Sequence, residues 1–253
     1  MQAIILAAGM GSRLQLLTKN VPKCMVKVND VPLIERVLFQ LDKLHLSRIV
    51  LVVGYKAKVL KDFIETLNIH TPIIYVDNDN YDSTNNIYSL YLAKNYLSEE
   101  STLLLESDII VSDGVLENVV AHPNHTVALV AKYESWMDGT VVTLDSQNYI
   151  SRFIDKSHFN PSQSSEYYKT VNIYKIDRDF ANKYYIPLLI LYIKMLGVND
   201  YYEQVFRIIT LLTQDEILVN SAMGVEIIND SWYEIDNNND LLLASELFRG
   251  GDS

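Results

Sequence analysis

Ala3-Ile4-Ile5-Leu6-Ala7-Ala8-Gly9-Met10-Gly11-Ser12-Arg13-Leu14 is the stretch on which the reading of the whole chain turns. Residues 3–8 are an unbroken apolar run closed by a glycine. Such a run suits a strand buried on both faces, as in a parallel sheet covered by helices. Residues 9–23 then read as a long, polar, glycine-bearing loop. A glycine loop directly past a buried strand lets backbone N–H groups close on a phosphate chain. Arg13 adds a guanidinium fork for phosphate oxygens and Lys23 a point charge, while Ala7 and Ala8 leave room for a base or ribose. The plain alternative is a glycine turn beside solvated Arg13 and Lys23.

Outward from this stretch, Leu33, Val37, Leu38, Leu41 and Leu44 recur at helical spacing behind Pro32, a residue suited to a first turn. Residues 48–53 form a second buried strand ending at Gly54, Val59, Phe63, Ile64 and Leu67 a short helix, and residues 72–76 a third strand. This alternation predicts an α/β fold, a doubly wound, mostly parallel mixed sheet flanked by helices, with right-handed crossovers. The pattern continues with a helix at 87–96 and a strand at 102–105 that runs into Glu106-Ser107-Asp108. Strands of antiparallel character are expected at 127–133, 140–144 and 170–174, helices at 184–196 and 202–212, a strand at 225–228 and a closing helix at 240–248. Residues 1–248 read as one domain and 249–253 as a tail or linker. The serine-rich stretch 155–166 is expected to be a mobile loop.

The 253 residues carry 21 basic and 32 acidic side chains, a net charge of −11. That balance disfavours a nucleic-acid partner, whose backbone demands many cationic contacts. A small anion held by a few placed groups stays open. One cysteine, Cys24, excludes an internal disulfide framework and suits a reducing compartment. The apolar run at 3–8 is far short of the roughly 20 residues of a membrane span. The chain is therefore expected to be cytoplasmic, with no membrane span.

Two nucleotide motifs fail on spacing. A dinucleotide fingerprint needs a third glycine where Leu14 stands, and the glycine-lysine-serine/threonine phosphate loop is absent. Residues 77–82 are too poor a calcium loop, with Asp82 at its sixth position and Tyr88 at its twelfth.

Taken whole, Leu6-Ala7-Ala8-Gly9-Met10-Gly11-Ser12-Arg13, with Thr18 and Pro22-Lys23-Cys24-Met25 following, closely resembles the nucleotidyltransferase family that makes activated sugars and activated phospho-alcohols. The resemblance implies a Rossmann-like nucleotidyltransferase fold and a nucleoside triphosphate over Leu6, Ala7, Ala8, Gly9, Met10, Gly11 and Ser12. Arg13 and Lys23 would be the catalytic cations on its phosphates, with Lys23 the main stabiliser of charge at the reacting α-phosphate. Phosphoryl-type transfer needs charge neutralisation more than covalent help, so Mg²⁺ is expected. Asp108 and Asp236 match the family's metal-binding aspartates.

Asn85-Asn86-Ile87-Tyr88-Ser89-Leu90 resembles a stretch of bacterial choline-phosphate cytidylyltransferases, which implies base and ribose contacts at Thr84 and Asn85. Capping of the following helix is the alternative for both. Trp136 falls where those enzymes carry an aromatic residue of a cationic head-group pocket. Glu106 or Glu134 would add charge attraction there. Residues 136–142 and 168–174, however, look more like the nucleotidyltransferase half of bacterial proteins fused to an aminotransferase-like, pyridoxal-phosphate-dependent domain. The acceptor implied is then a phosphorylated amino alcohol, amino acid or aminophosphonate, with Lys169 on its phosphate or carboxylate. The function implied is a Mg²⁺-dependent cytidylyltransferase whose partners are CTP and that acceptor, coupled or fused to a pyridoxal-phosphate enzyme. The alternatives are a sugar-1-phosphate nucleotidyltransferase using UTP or dTTP and a non-catalytic nucleotide-binding regulatory module.

Overall fold

Successive residues of the opening run part to opposite sides of a sheet, as strand geometry requires. Ala3, Ile5 and Ala7 enter one hydrophobic core, and Ile4 and Leu6 enter the other. The structure is a computed structural model that describes residues 1–218 and 221–249. Its strands are β1 (Gln2–Ala7), β2 (Lys27–Val28), β3 (Val31–Pro32), β4 (Ile49–Val53), β5 (Ile73–Asp77), β6 (Thr102–Glu106), β7 (Ile109–Val111), β8 (Val127–Lys132), β9 (Val141–Leu144), β10 (Ile150–Ile154), β11 (Tyr168–Ile176), β12 (Gly224–Ile227) and β13 (Trp232–Glu234). Its helices are α1 (Leu33–Asp42), α2 (Ala57–Ile64), α3 (Asn86–Leu92), α4 (Lys94–Glu99), α5 (Val115–Ala121), α6 (Arg178–Phe180), α7 (Ile186–Leu196), α8 (Glu203–Gln214) and α9 (Asn238–Leu247).

β1 lies between β4 and β6 and pairs parallel with both, and β5 extends the parallel core beyond β4. The chain winds outward from β1 through β4 to β5, then returns by α3 and α4 to β6 on the other flank of β1. Strand order therefore reverses between β1 and β6, and α/β sheets open their ligand crevice at the carboxyl ends of such a pair. Past β6 the sheet turns antiparallel through β11, which carries both β8 and β9. β10 pairs antiparallel with β9, and β12 lies parallel to β8. The mixed, doubly wound class is as expected, with helices packed on both faces.

Several local expectations change. The helix expected at 87–96 is two helices, because the backbone turns at fully buried Ala93 (φ −87°, ψ 1°). Residues 9–23 are not all loop: Ser12–Thr18 and Lys23–Met25 are 3₁₀ turns. Helix α7 is preceded by α6 and a π turn, Ala181–Tyr185. β7, β10 and α5 are short or flanked by polar residues and carry no clear period. The tail expected at 249–253 lies, but for Arg249, outside the described residues.

The serine-rich stretch is pinned rather than loose. Lys156–His158 and Pro161–Glu166 are 3₁₀ turns capped by the side chains of Asp155 and Asn160. Arg207 of α8 reaches Asp155 Oδ2 at 2.5 Å. Burial alone would raise the Asp155 carboxyl, but hydrogen bonds from Ser157 and His158 and the Arg207 charge bring it down to about 2. Its folded value lies below its unfolded one, so its stabilisation is full above about pH 4 and is lost as pH falls through about 2. Allowing for partial exposure, Asp155→Asn is expected to cost about 1–2 kcal/mol at pH 7. Thermal unfolding of both proteins should show that gap closing towards pH 2.

Candidate active site

A third, smaller core fixes the glycine loop. Leu14, fully buried, packs with Val26, Val28 and Leu33 against Ile110 of β7 and Tyr233 and Ile235 around β13. β13 pairs antiparallel with β7, and the Ile235 N–H donates to Asp108 O at 2.9 Å. This ribbon brings Asp108, just past β6, beside Asp236, just past β13. Alternation along Glu234-Ile235-Asp236 sends the buried Ile235 into the core and both acids the other way.

Lys23 Nζ bridges the pair, 2.5 Å from Asp108 Oδ2 and 2.6 Å from Asp236 Oδ1. Arg13 Nη2 reaches the same Asp236 oxygen at 2.8 Å. Burial works against the Lys23 ammonium, but Asp108 and Asp236 outweigh it and hold the group well above the usual lysine range. Gly11 makes this approach possible, with φ at 63°. A Cβ there would stand 2.8 Å from Lys23 Cβ and 3.1 Å from Thr18 Cγ2. Gly11→Ala is therefore expected to displace Lys23 and to cost about 1–2 kcal/mol from the left-handed backbone alone. Urea unfolding should show a lower midpoint at unchanged slope.

These groups open onto a cleft of about 820 Å³ at the reversal of strand order. Leu6, Ala8, Gly9, Gly11, Ser12, Arg13 and Lys23 line it, as do Thr84, Asn85, Glu106, Asp108, Trp136, Lys169 and Asp236. Ala7 and Met10 do not: Ala7 faces the core beneath the sheet, and the Met10 side chain is exposed outside the cleft. Glu134 is also outside, accepting from Trp136 Nε1 at 2.9 Å. Asn85 caps α3, its side chain accepting from the Asn86 N–H, and Thr84 donates to Asn80 O at 2.7 Å.

Asp108, Glu234 and Asp236 each offer one carboxylate oxygen, and these lie within 4.8 Å of one another. Asp108 Oδ1 is buried without a hydrogen-bond donor. Three hard oxygen ligands, one of them orphaned, fit a hard divalent cation such as Mg²⁺ rather than a thiolate-seeking metal.

Glu234 is a site residue that the motif reading passed over. Its signal was its place two residues from Asp236 on a strand. Burial pushes its carboxyl up and Lys169 pulls it back, with Asp108 and Asp236 adding to the rise. Lys169 is almost wholly buried, its Nζ donating to Thr170 O at 2.6 Å and lying 3.3 Å from Glu234 Oε2. Burial disfavours its charge, yet Glu234 and Glu203 keep it raised. Glu203, at the start of α8, accepts from Thr140 Oγ1 at 2.7 Å, from Thr170 Oγ1 at 3.0 Å and from the Tyr174 hydroxyl. A register shift in β11 between Thr170 and Tyr174, with Asn172 at φ 58°, aims the Asn172 amide at Glu234. Glu106 accepts from Asn86 Nδ2 at 3.1 Å. Burial pushes its carboxyl well above the ordinary range, and Asp108, Glu234 and Glu203 push it further.

Comparison with known proteins places the chain among nucleotidyltransferases. The chain is 27% identical over 242 residues to the CMP-5'-(3-aminopropyl)phosphonate synthase of Streptomyces rubellomurinus, covering 94% of this chain and 37% of that protein. It is 33% identical over 151 residues to the 2-aminoethylphosphonate cytidylyltransferase of Lancefieldella rimae, covering 59% of each. The chain thus spans less than two thirds of the length of either relative. A solved structure of the CTP:phosphocholine cytidylyltransferase of Streptococcus pneumoniae matches with a TM-score of 0.78 over 98% of this chain and 99% of that one. At 24% identity, that likeness concerns the fold. Among the described residues, no helix is long and apolar enough to cross a membrane. The model of the MobA-like NTP transferase domain matches residues 3–153, more than half of the sequence, and the chain belongs to that family.

Proposed function

We propose that this chain is a Mg²⁺-dependent cytidylyltransferase of the cytoplasm. It transfers CMP from CTP to a phosphorylated amino alcohol, amino acid or aminophosphonate and releases pyrophosphate. The observation that carries the reading is the Lys23 ammonium held between Asp108 and Asp236 at the foot of the glycine loop. The names of the relatives supply the nucleotide and the acceptor class.

An anionic oxygen of the acceptor forms a bond to the α-phosphorus of CTP. The bond from that phosphorus to the α,β-bridging oxygen breaks, and pyrophosphate leaves with the electron pair. The acceptor oxygen is already deprotonated, so the step needs no general base. Catalysis rests on positioning and on electrostatics. Lys23 and Arg13 exchange carboxylate partners for phosphate oxygens, with Lys23 at the α-phosphate and Arg13 at the mouth. The backbone of Gly9 to Ser12 supplies N–H groups to the phosphates, and Thr84 and Asn85 face the base and ribose. Asp108, Glu234 and Asp236 would hold Mg²⁺, which when bound offsets the repulsion between triphosphate and acceptor.

A pyrophosphate-release assay tests this with CTP, UTP, dTTP, GTP and ATP, each crossed with amino-bearing phospho-acceptors and glucose-1-phosphate. Release is expected with CTP and an amino-bearing acceptor. Release confined to UTP or dTTP with the sugar phosphate overturns the reading, as does CTP binding without turnover of any acceptor. Coupling to a pyridoxal-phosphate enzyme belongs to the same proposal. Its supports are the likeness of residues 136–142 and 168–174 to one half of such fusions and the greater length of the Streptomyces relative.

A further inference from the structure

Two roles fall on Lys23, and they exclude each other. Its Nζ lies between Asp108 and Asp236, the acids that with Glu234 make the candidate metal centre. Whichever Asp108 oxygen would serve an ion, the ammonium already sits on that carboxylate: Oδ2 receives it, and Oδ1 is the buried atom without a donor. Arg13 adds a second positive charge on the Asp236 oxygen that Lys23 holds. Lys169 adds a third beside Glu234, 3.3 Å from Oε2. Among the described residues, the three carboxylates of the centre are thus met by three cationic side chains. A divalent cation entering this partly buried cluster would meet like charges at close range, where screening is weak.

Two of those three cations are the ones a triphosphate claims. The Arg13 side chain is 68% exposed, so its guanidinium turns towards a ligand at little cost. Lys23 is tied to the glycine loop: a Cβ on Gly11 would stand 2.8 Å from Lys23 Cβ and 3.0 Å from its Cγ, so the loop backbone lies against the lysine stem. Thr18 Oγ1 donates to Gly11 O at 2.9 Å and closes the loop on itself. Phosphate oxygens received by that backbone are therefore delivered beside the stem of Lys23. Lys169, by contrast, is almost wholly buried and bonded to its own strand at Thr170 O, so it stays. Transfer of Arg13 and Lys23 to phosphate would leave three carboxylates against one cation, an excess that a divalent ion cancels.

We infer that Lys23 is a latch on the metal centre: its ammonium keeps a divalent cation off the Asp108 and Asp236 pair until a triphosphate draws it away, so that nucleotide binds first and metal second. This rests on the cytidylyltransferase reading and adds to it an order of assembly. The chain does not hold its cation in reserve, and the centre fills only when there is a nucleotide to act on.

The test reads Mn²⁺ binding by electron paramagnetic resonance, without substrates, in the parent, Lys23→Met and Lys156→Met. Lys23→Met keeps the length of the stem and removes the charge. It is expected to bind Mn²⁺ about tenfold or more tighter than the parent, a coupling of ordinary size. Lys156 lines the same cleft but pairs with Asp138, outside the metal centre. Loss of so exposed a pair is expected to leave Mn²⁺ affinity within about twofold in Lys156→Met. Equilibrium dialysis of the parent is expected to show CTP bound in EDTA within about tenfold of its affinity in Mg²⁺. Equal or weaker Mn²⁺ binding by Lys23→Met overturns the latch, as does an equal gain in Lys156→Met, which marks the general field of the cleft. CTP that binds only with Mg²⁺ present overturns the order of assembly. Either failure, with Mn²⁺ still bound by the parent, leaves the cytidylyltransferase standing. Mn²⁺ bound by none of the three proteins overturns the metal centre and the inference with it. The dialysis uses the parent alone and decides the order even where a variant fails to fold.

Discussion

Turnover of Lys23→Ala is expected to fall by about two to three orders of magnitude, the usual loss when a preorganised group opposite developing charge is removed. Among the described residues Lys23 is the one cation that touches both aspartates, and its position is set by backbone that only Gly11 permits. Its charge is stabilised by its surroundings, so it stays an ammonium at any working pH. Lys23→Arg should rescue little, because a planar fork does not occupy the place of a compact ammonium between two carboxylates. Initial rates with CTP and a turned-over acceptor, beside a thermal melt, check this. Turnover of Lys23→Ala within tenfold of the parent would remove Lys23 from the reaction.

The second large effect concerns the carboxylate triad. Asp108→Asn keeps the shape of the side chain and removes the charge of the group whose Oδ1 has no donor. Affinity for a divalent cation, read by Mn²⁺ electron paramagnetic resonance without substrates, is expected to drop by at least about tenfold to a hundredfold, the range seen even for groups that only support a ligand. Mg²⁺ activation of turnover should weaken in parallel. Unchanged Mn²⁺ binding would take Asp108 out of the metal site, whatever happened to the rate.

Much of the architecture was legible because its causes are local. Burial on both faces makes residues 3–8 and 49–53 uniformly apolar, and that uniformity marks parallel strands directly. The glycine loop was legible because left-handed backbone at Gly11 is a chemical requirement. Ala7 was misplaced for want of the alternation that turns it to the core while Leu6 and Ala8 face the cleft. Glu234 was missed although period two puts it on the side of Asp236. Glu203 and Asn172 carried no such mark. One reaches the cleft because α8 begins beneath it, the other because β11 shifts register, and both are decisions of tertiary packing. The 155–166 stretch was read as loose because serine favours turns. Its caps and the Arg207 ion pair show those turns to be ordered.

Asp108 and Asp236 are joined by the β7–β13 ladder, yet one is specified before the middle of the sequence and the other near residue 240. On the ribosome, β1, β4, β5 and β6 emerge and can pair long before β13 exists. A nascent chain can therefore pair the parallel strands of the crevice while lacking two of the three carboxylates beside it and the part of the small core, Tyr233 and Ile235, that fixes the glycine loop. Pairing of the sheet and completion of the site are separated in time, and a product cut short before Trp232 would keep the parallel strands without the wedge of core that seats the glycine loop or the acids that flank it.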